Sequence, residues 1–335
     1  MPTPPDLSPL RGATEVKKVA TRGAYGEALL ELGASRDDVV VLDADLSGST
    51  KTKAFSKQYP ERFFNIGVAE ANKIGIAAGL ASQGKVCFAS SFAMFATGKA
   101  FEQIRQSVAV PKLNVKVCAT HAGLTVGEDG KSHQMLEDIT LMRVLPNMTV
   151  LVPADAVEAR QCVLAAAEMQ GPVYVRLSRA ATPLVFADDY RFEVGKAALL
   201  REGTDLAIIA CGVTVAPALE AAEQLAADGV QARVLDMSTI KPLDEDAIER
   251  AARDCGAILT AEEHQVNGGL GDAVAQAVAR RHPVPMDFSG MHDEFGQSGT
   301  GDQLLSHYGL DGKGIAQRAA ELIRRKNVVT AGEAS

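Results

Sequence analysis

Short apolar runs alternate along the chain with longer segments of helical periodicity. Five runs rich in Val, Ile, Leu and Ala have the length of buried strands, at residues 39–42, 86–90, 115–119, 149–152 and 173–177. Helix-like segments stand among them, at 20–32, 70–82, 93–109 and 156–169. Because strands that alternate with helices form mostly parallel sheets with helices on both faces, the pattern predicts a doubly wound α/β domain.

The same alternation returns after a break at residues 183–203, where charge is mixed and periodicity is weak. Further apolar runs and helical segments then follow, as strands at 206–210, 232–235, 257–260 and near 286 and helices at 216–227, 244–254, 271–280 and 315–326. We therefore predict two doubly wound, mostly parallel-sheet domains, with these boundaries: a flexible proline-rich tail at 1–16, the first domain at 17–185, a linker at 186–203 and a smaller second domain at 204–335.

One carboxylate stands at the start of a helix that is otherwise almost uncharged. From Glu70 to residue 82 the only other charged residue is Lys73, so the helix is predicted to be buried. Small residues, including Gly75 and Gly79, recur at helical spacing and leave one face open to another backbone. Glu70 either interacts with the helix dipole, the more frequent role for an acid in a first turn, or takes part in chemistry.

Composition narrows the class of protein. With 335 residues, 47% of them hydrophobic, the chain is long enough for two soluble domains, and its net charge of −8 argues against a nucleic-acid partner. No apolar run approaches the ~18 residues of a membrane helix. The amino terminus has no signal-peptide pattern, so we expect a cytoplasmic protein without a membrane partner. The five widely spaced cysteines are predicted to be reduced core residues.

Polar clusters follow four strands of the first predicted sheet, at 43–49, 90–95, 120–134 and 178–179. Ligands of doubly wound sheets bind at this carboxyl edge. The loop at 121–134 holds two histidines, two acids and three glycines, so Asp129 and His133 can bind a polyol or move protons, although a solvated surface turn is the alternative. The spacing of its histidines makes a poor metal-ligand set, and no metal site is predicted.

Other residues at the same edge offer anion and ring binding. Phe92 and Phe95 either pack in the core or form an aromatic platform for a flat heterocycle. A phosphate clamp of guanidinium groups, an imidazole and a hydroxyl is possible from four residues, although each alone is unremarkable: Arg22, Ser49, His121 and Arg179. The chain contains neither the P-loop nor the Gly-x-Gly-x-x-Gly motif, which argues against ordinary NTPase and dinucleotide functions.

Together these motifs resemble the carboxyl-terminal half of the thiamine-diphosphate-dependent transketolases, relatives of deoxyxylulose-phosphate synthases and of the β subunits of 2-oxoacid dehydrogenases. The resemblance covers residues 18–325 and rests on Thr-Arg22-Gly, Asp-Leu-Ser-Gly-Ser49, Asn-Ile-Gly-Val-Ala-Glu70, Ser-Phe92-Ala-Met-Phe95, Thr-His121, Gly-Glu-Asp129-Gly-Lys-Ser-His133-Gln and Leu-Ser-Arg179. It implies a pyrimidine-binding fold followed by a transketolase C-terminal domain.

The resemblance also implies roles for these residues. Glu70 is expected to hydrogen-bond the aminopyrimidine of thiamine diphosphate and to drive the imino tautomer that deprotonates the thiazolium ring. Phe92 and Phe95 are expected to hold the pyrimidine, while Asp129 and His133 contact sugar hydroxyls and His133 is a second catalytic residue. The sugar phosphate is expected to be bound by Arg22, Ser49, His121 and Arg179.

The chain departs from the family pattern in two places. Full-length enzymes carry a Gly-Asp-Gly motif and a later asparagine that bind Mg²⁺ and the diphosphate, and this sequence has no Gly-Asp-Gly. The resemblance therefore implies a separately encoded subunit that supplies the Mg²⁺ site, most simply in an α2β2 assembly. At Gly98, transketolases often have a third aromatic residue on the pyrimidine wall.

The function implied is the transfer of a two-carbon ketol unit between sugar phosphates, by a transketolase that is active only with its partner. The alternatives are a 1-deoxyxylulose-5-phosphate synthase-like enzyme, the E1 β subunit of a 2-oxoacid dehydrogenase, and a catalytically silent interaction subunit. The phosphate clamp favours the first of these functions over an enzyme for small unphosphorylated oxoacids. The sequence does not indicate which sugar is used.

Overall fold

A computed structural model describes residues 17–333, and the predicted tail at 1–16 lies outside them. The strands are β1 (Lys18–Ala20), β2 (Val39–Asp43), β3 (Phe63–Asn65), β4 (Val86–Phe92), β5 (Val115–Thr120), β6 (Thr149–Leu151), β7 (Val173–Arg176), β8 (Ala181–Pro183), β9 (Ala198–Arg201), β10 (Leu206–Ala210), β11 (Ala232–Asp236), β12 (Thr239–Lys241), β13 (Ile258–Gln265) and β14 (Met286–Met291).

The helices are α1 (Thr21–Ser35), α2 (Ser47–Thr50), α3 (Lys53–Gln58), α4 (Glu70–Ser82), α5 (Phe101–Gln103), α6 (Asp138–Val144), α7 (Ala156–Glu168), α8 (Val215–Ala227), α9 (Glu245–Cys255), α10 (Leu270–Arg281), α11 (Gly301–His307) and α12 (Gly312–Glu333). Two π-helical segments, Met94–Lys99 and Ile104–Ala109, flank α5. None of the helices among the described residues is long and apolar enough to span a bilayer.

The first sheet has seven strands in the order β12-β6-β7-β5-β4-β2-β3. Six of them are parallel, and β12 joins β6 antiparallel. The central strands are fully buried because helices cover both faces, which explains why they read as continuous apolar runs. The prediction of a doubly wound, mostly parallel sheet is confirmed.

The second sheet has the order β14-β13-β10-β11-β9, parallel except for β9 at one edge. β9 lies within the segment predicted as a linker, residues 186–203. A small antiparallel ribbon of β1 and β8 joins the two ends of the first half of the chain.

Three local features differ from the sequence prediction. β3 pairs with β2 although the run at Phe63 was not predicted as a strand, because three half-exposed residues carry almost no pattern. β12 was likewise not predicted. The helix predicted at 93–109 is divided into two π-helical segments around α5, since an α-helical apolar pattern does not show where an extra residue widens a turn.

The two sheets share one apolar core. Val150 and Val152 from the first sheet pack in the same cluster of buried side chains as Ile209 and Met237 from the second. All five cysteines are free and buried, as predicted. Since the core is continuous, the two halves of the chain have a fixed relation at the carboxyl edge of the first sheet.

Candidate functional site

The loop after β2 is organised by one buried carboxylate. Asp43 accepts hydrogen bonds from the Leu46 N–H at 2.6 Å and from the hydroxyls of Thr50 at 2.6 Å and Thr52 at 3.0 Å. These bonds fold the chain back into α2 and place Ser49 at the sheet edge. Arg22, in the first turn of α1, donates from Nη1 to the Ser49 carbonyl oxygen at 3.0 Å, so the contact to Ser49 runs through its main chain.

His121 follows β5 and contacts the same arginine. Arg22 Nη1 lies 3.2 Å from His121 Nε2, and the Thr120 hydroxyl lies 2.8 Å from Nδ1. Burial, together with the nearby charges of Arg22 and Arg179, lowers the pKa of His121 to about 3, so the ring is neutral near pH 7. Because arginine can only donate, Nε2 accepts from Arg22 and Nδ1–H donates to Thr120.

Arg179 lies beyond β7 and holds the other end of the loop at 121–134. Its Nη1 donates to the Val126 carbonyl at 2.6 Å and to Asp129 Oδ2 at 3.1 Å, with Glu128 at 3.7 Å. Burial and the charge of Arg179 lower the pKa of Arg22, which shows that the two guanidinium groups act on one region. Asp129, predicted to contact a sugar hydroxyl, is here the ion-pair partner of Arg179.

Four rings form a continuous aromatic surface at the ends of β4 and β5. Phe92 and Phe95 are stacked with centroids 6.2 Å apart and planes 22° from parallel. His121 covers Phe92 with its centroid at 3.7 Å, and His133 meets Phe95 edge-on at 5.4 Å. His133 Nδ1 also lies 2.9 Å from the Ser132 hydroxyl. The two phenylalanines are half-buried, so their packing leaves ring surface available.

Glu70 is 2% exposed at the start of α4. Lys99 Nζ, on a half-exposed side chain, donates to Glu70 Oε2 at 2.7 Å and lies 5.6 Å from the Phe95 centroid. Burial by itself would raise the pKa of Glu70, but the hydrogen bond from Lys99, a backbone N–H and the charge of Lys73 outweigh it and lower that pKa. The carboxylate is therefore ionised and beside the aromatic surface.

Contacts between these groups bring all the predicted site residues to one edge of the first sheet. Sequence reasoning missed Lys99, although a basic residue four positions after Phe95 was a visible signal. It also missed Glu263 in β13, whose carboxylate accepts a hydrogen bond from the Thr125 N–H. No local signal could have shown that contact, because it joins residues 138 positions apart.

Metal binding has no candidate in the part of the chain that the structure describes. Among residues 17–333, no group of three or more His, Cys, Asp or Glu side chains is arranged to hold a metal ion. The acidic pair that begins at Glu262, shortly before a glycine-rich segment, has a structural role at its first member: the Glu262 carboxylate accepts from the N–H groups of Leu270 and Gly271 at the start of α10.

Comparison with family models matches two regions of the chain. Residues 17–185 match the transketolase pyrimidine-binding domain, and residues 195–315 match the transketolase C-terminal domain. A solved structure of a split-gene transketolase, an inactive beta4 tetramer, is 52% identical with a TM-score of 0.86, covering 92% of this chain and 99% of its own.

Curated relatives agree with the structural match. The 6-deoxy-6-sulfo-D-fructose transketolase subunit SqwH of Clostridium sp. is 44% identical, covering 91% of this chain and 95% of that protein. One of the subunits of the apulose-4-phosphate transketolase of Phocaeicola vulgatus is 40% identical, covering 92% and 98%. Against human transketolase, 38% identical, the chain covers 50% of the relative's length. The chain belongs to the transketolase family, as its motifs predicted.

Proposed function

We propose that this chain is the carboxyl-terminal subunit of a two-subunit transketolase, which transfers a two-carbon ketol unit between sugar phosphates. The observation that carries the proposal is the ionised, buried Glu70 held beside the Phe95 ring at the carboxyl edge of the sheet. A buried carboxylate is costly unless a partner uses it, and Lys99 is more than half exposed and free to move away.

The residues present fit the pyrimidine end of thiamine diphosphate, the cofactor that membership of the family implies. The half-buried rings of Phe92 and Phe95 offer apolar surface to a flat heterocycle, and Glu70 offers an acceptor for a protonated ring nitrogen. When bound, the cofactor supplies the nucleophilic carbon that carries the two-carbon unit. Glu70 would hold a proton on the pyrimidine nitrogen, where its ionised state favours accepting that hydrogen bond.

A sugar phosphate fits the opposite end of the site. Arg22 and Arg179 offer guanidinium donors to phosphate oxygens, and both are at present bonded to main-chain carbonyls that water can satisfy instead. The Thr120 hydroxyl can donate to Nδ1 of His121, and that tautomer presents an Nε2–H to the anion. His133, at the edge of Phe95, is placed to move a proton at a sugar hydroxyl.

A separate subunit is proposed to hold the diphosphate and Mg²⁺, giving an α2β2 assembly. Three observations support it: the chain covers half of human transketolase, it contains no Gly-Asp-Gly, and the relatives from Clostridium and Phocaeicola are each named as one subunit of a transketolase. The relatives' names favour a transketolase over a deoxyxylulose-phosphate synthase or a dehydrogenase β subunit. The cytoplasmic location stays a prediction from the sequence.

Reconstitution tests this proposal. The purified chain, mixed with a Gly-Asp-Gly-containing chain from a neighbouring reading frame, thiamine diphosphate and Mg²⁺, is expected to transfer a ketol unit from xylulose 5-phosphate to ribose 5-phosphate. Each chain alone, and the mixture in EDTA, serve as controls and are expected to be inactive. Full activity of this chain alone would contradict the two-subunit assignment.

A further inference from the structure

The substrate loop, residues 121–134, is not held by the first sheet alone. It carries His121, Asp129 and His133, and its other face lies against the carboxyl-terminal half of the chain. There the Thr125 N–H donates to Glu263 Oε1, a carboxylate that is 2% exposed on β13. A carboxylate bonded to a loop N–H in a dry site fixes that stretch of backbone.

The fit around Glu263 is tight on both sides. Gly123 has a φ of +79°, and a Cβ at this position would overlap the Glu263 carboxylate. Arg176, itself buried, donates from Nη2 to the Glu263 carbonyl at 2.9 Å and lies 3.8 Å from its carboxylate. The same guanidinium bonds Asp138 at 2.8 Å, so Glu263 is fixed relative to both halves of the chain.

The segment before α11, residues 296–301, supports the rest of the loop. Gln134 Nε2 donates to the Gln297 carbonyl at 3.0 Å. Gly127 and Gly130 both have positive φ, and a Cβ on them would lie 3.2 Å from the Gly299 carbonyl oxygen and 2.6 Å from the Ser298 hydroxyl oxygen. The loop glycines are therefore required where two backbones approach each other.

We propose that Glu263 is a positioning residue: it holds the substrate loop, through Thr125 and Gly123, in the conformation that presents His121 and His133 to the sugar phosphate. The carboxyl-terminal half thereby takes part in substrate binding without touching substrate. The role in loop order follows from the contacts of this chain, whereas the role in substrate binding rests on the proposed function.

Glu262 is a matched control for this role. It is the neighbouring carboxylate on the same strand and is also buried, but its side chain points to the opposite face and bonds the start of α10. Removing either carboxylate costs buried hydrogen bonds, so a general loss of stability is expected from both variants. Only the Glu263 variant should act on the loop.

Hydrogen exchange of the isolated full chain, followed by mass spectrometry, tests the loop directly. In Glu263→Ala, amides in peptides covering 121–134 are expected to exchange at least about tenfold faster, while β2 and β4 stay as in the wild type. In Glu262→Ala the faster exchange is expected at 268–273 instead. Equal acceleration of the loop in both variants, or an unchanged loop in Glu263→Ala, would overturn the proposal.

A milder variant and an activity readout complete the experiment. Glu263→Asp keeps a carboxylate beside Arg176 but withdraws its oxygens from Thr125, so it tests the loop if Glu263→Ala does not fold. In the reconstituted enzyme, Glu263→Asp is expected to raise KM for the ketose phosphate about tenfold and Glu262→Asp less than twofold. A loosened loop with unchanged KM would retain the exchange result and refute the link to substrate binding.

Discussion

Glu70 is the residue whose charge the proposed chemistry requires. Glu70→Gln keeps the size of the side chain and a hydrogen-bond acceptor for Lys99, but it removes the negative charge that stabilises a proton on the pyrimidine nitrogen. We expect kcat of the reconstituted enzyme to fall at least about 100-fold, with the melting temperature nearly unchanged. Glu27→Gln, an exposed substitution on α1, is the control; wild-type kcat in Glu70→Gln would remove Glu70 from the mechanism.

His121 makes stability depend on pH. Its folded pKa of about 3 lies below the unfolded value of about 6.5, so in this range the unfolded chain binds more protons and acid favours unfolding. Between pH 7 and pH 5 we expect the free energy of unfolding of the wild type to fall by about 2 kcal/mol more than that of His121→Gln. Chemical denaturation at the two pH values measures the difference.

A pH dependence that is the same in His121→Gln would show that His121 is protonated in the folded protein. His264 is also buried with its pKa lowered to about 4, but it is present in both variants, so its contribution cancels in the comparison.

Residue types could be predicted from the sequence further than contacts could. Phe92, His121 and Glu70 stood out because each follows a strand end in an unusual composition. The pairing of Asp129 with Arg179 and of Glu70 with Lys99 could not be predicted, since side-chain partners depend on loop conformations that composition does not fix. Glu263 was beyond reach for the same reason.

At the scale of elements, helix α4 presents an open glycine face. A Cβ on Gly75 or on Gly79 would meet no atom within 4 Å, and both are exposed. Gly75→Ala with Gly79→Ala is expected to stabilise the isolated chain, by up to about 1 kcal/mol per site, because alanine favours helix. The same pair should weaken subunit assembly, since added methyl groups prevent close backbone approach.

Analytical ultracentrifugation with thermal melting separates the two effects. Ser82→Ala, at the end of the same helix and outside this face, is expected to leave assembly unchanged. Unimpaired assembly of the double glycine variant would exclude α4 as a subunit contact.

Elements with strong patterns were predicted well and weak ones were missed. Buried parallel strands such as β2 and β5 are continuous apolar runs, and the helices between them have clear starts. β3 and β12 have three residues each, and their pairing is decided by where the chain returns in space. The π-helical segment Met94–Lys99 matters most, because it sets Phe95 and Lys99 on the side of Glu70.

At the scale of the whole molecule, the two halves form one unit. Arg176 bonds Asp138 in the first half and Glu263 in the second, all three almost fully buried, and the apolar core continues between the sheets. A buried charge that loses its partner is strongly destabilising. The arrangement of two domains was predictable from the repeated pattern, whereas their shared core was not, since each strand pattern describes only its own sheet.

The antiparallel strand β12 also bears on how the protein is made. The first sheet ends at β6 until residues 239–241 arrive to pair with it. During synthesis, every earlier strand of that sheet leaves the ribosome before its edge is covered, and an uncovered edge offers unpaired N–H and C=O groups to other chains. Completion of the first sheet must therefore wait until β10 and β11 of the second have been translated.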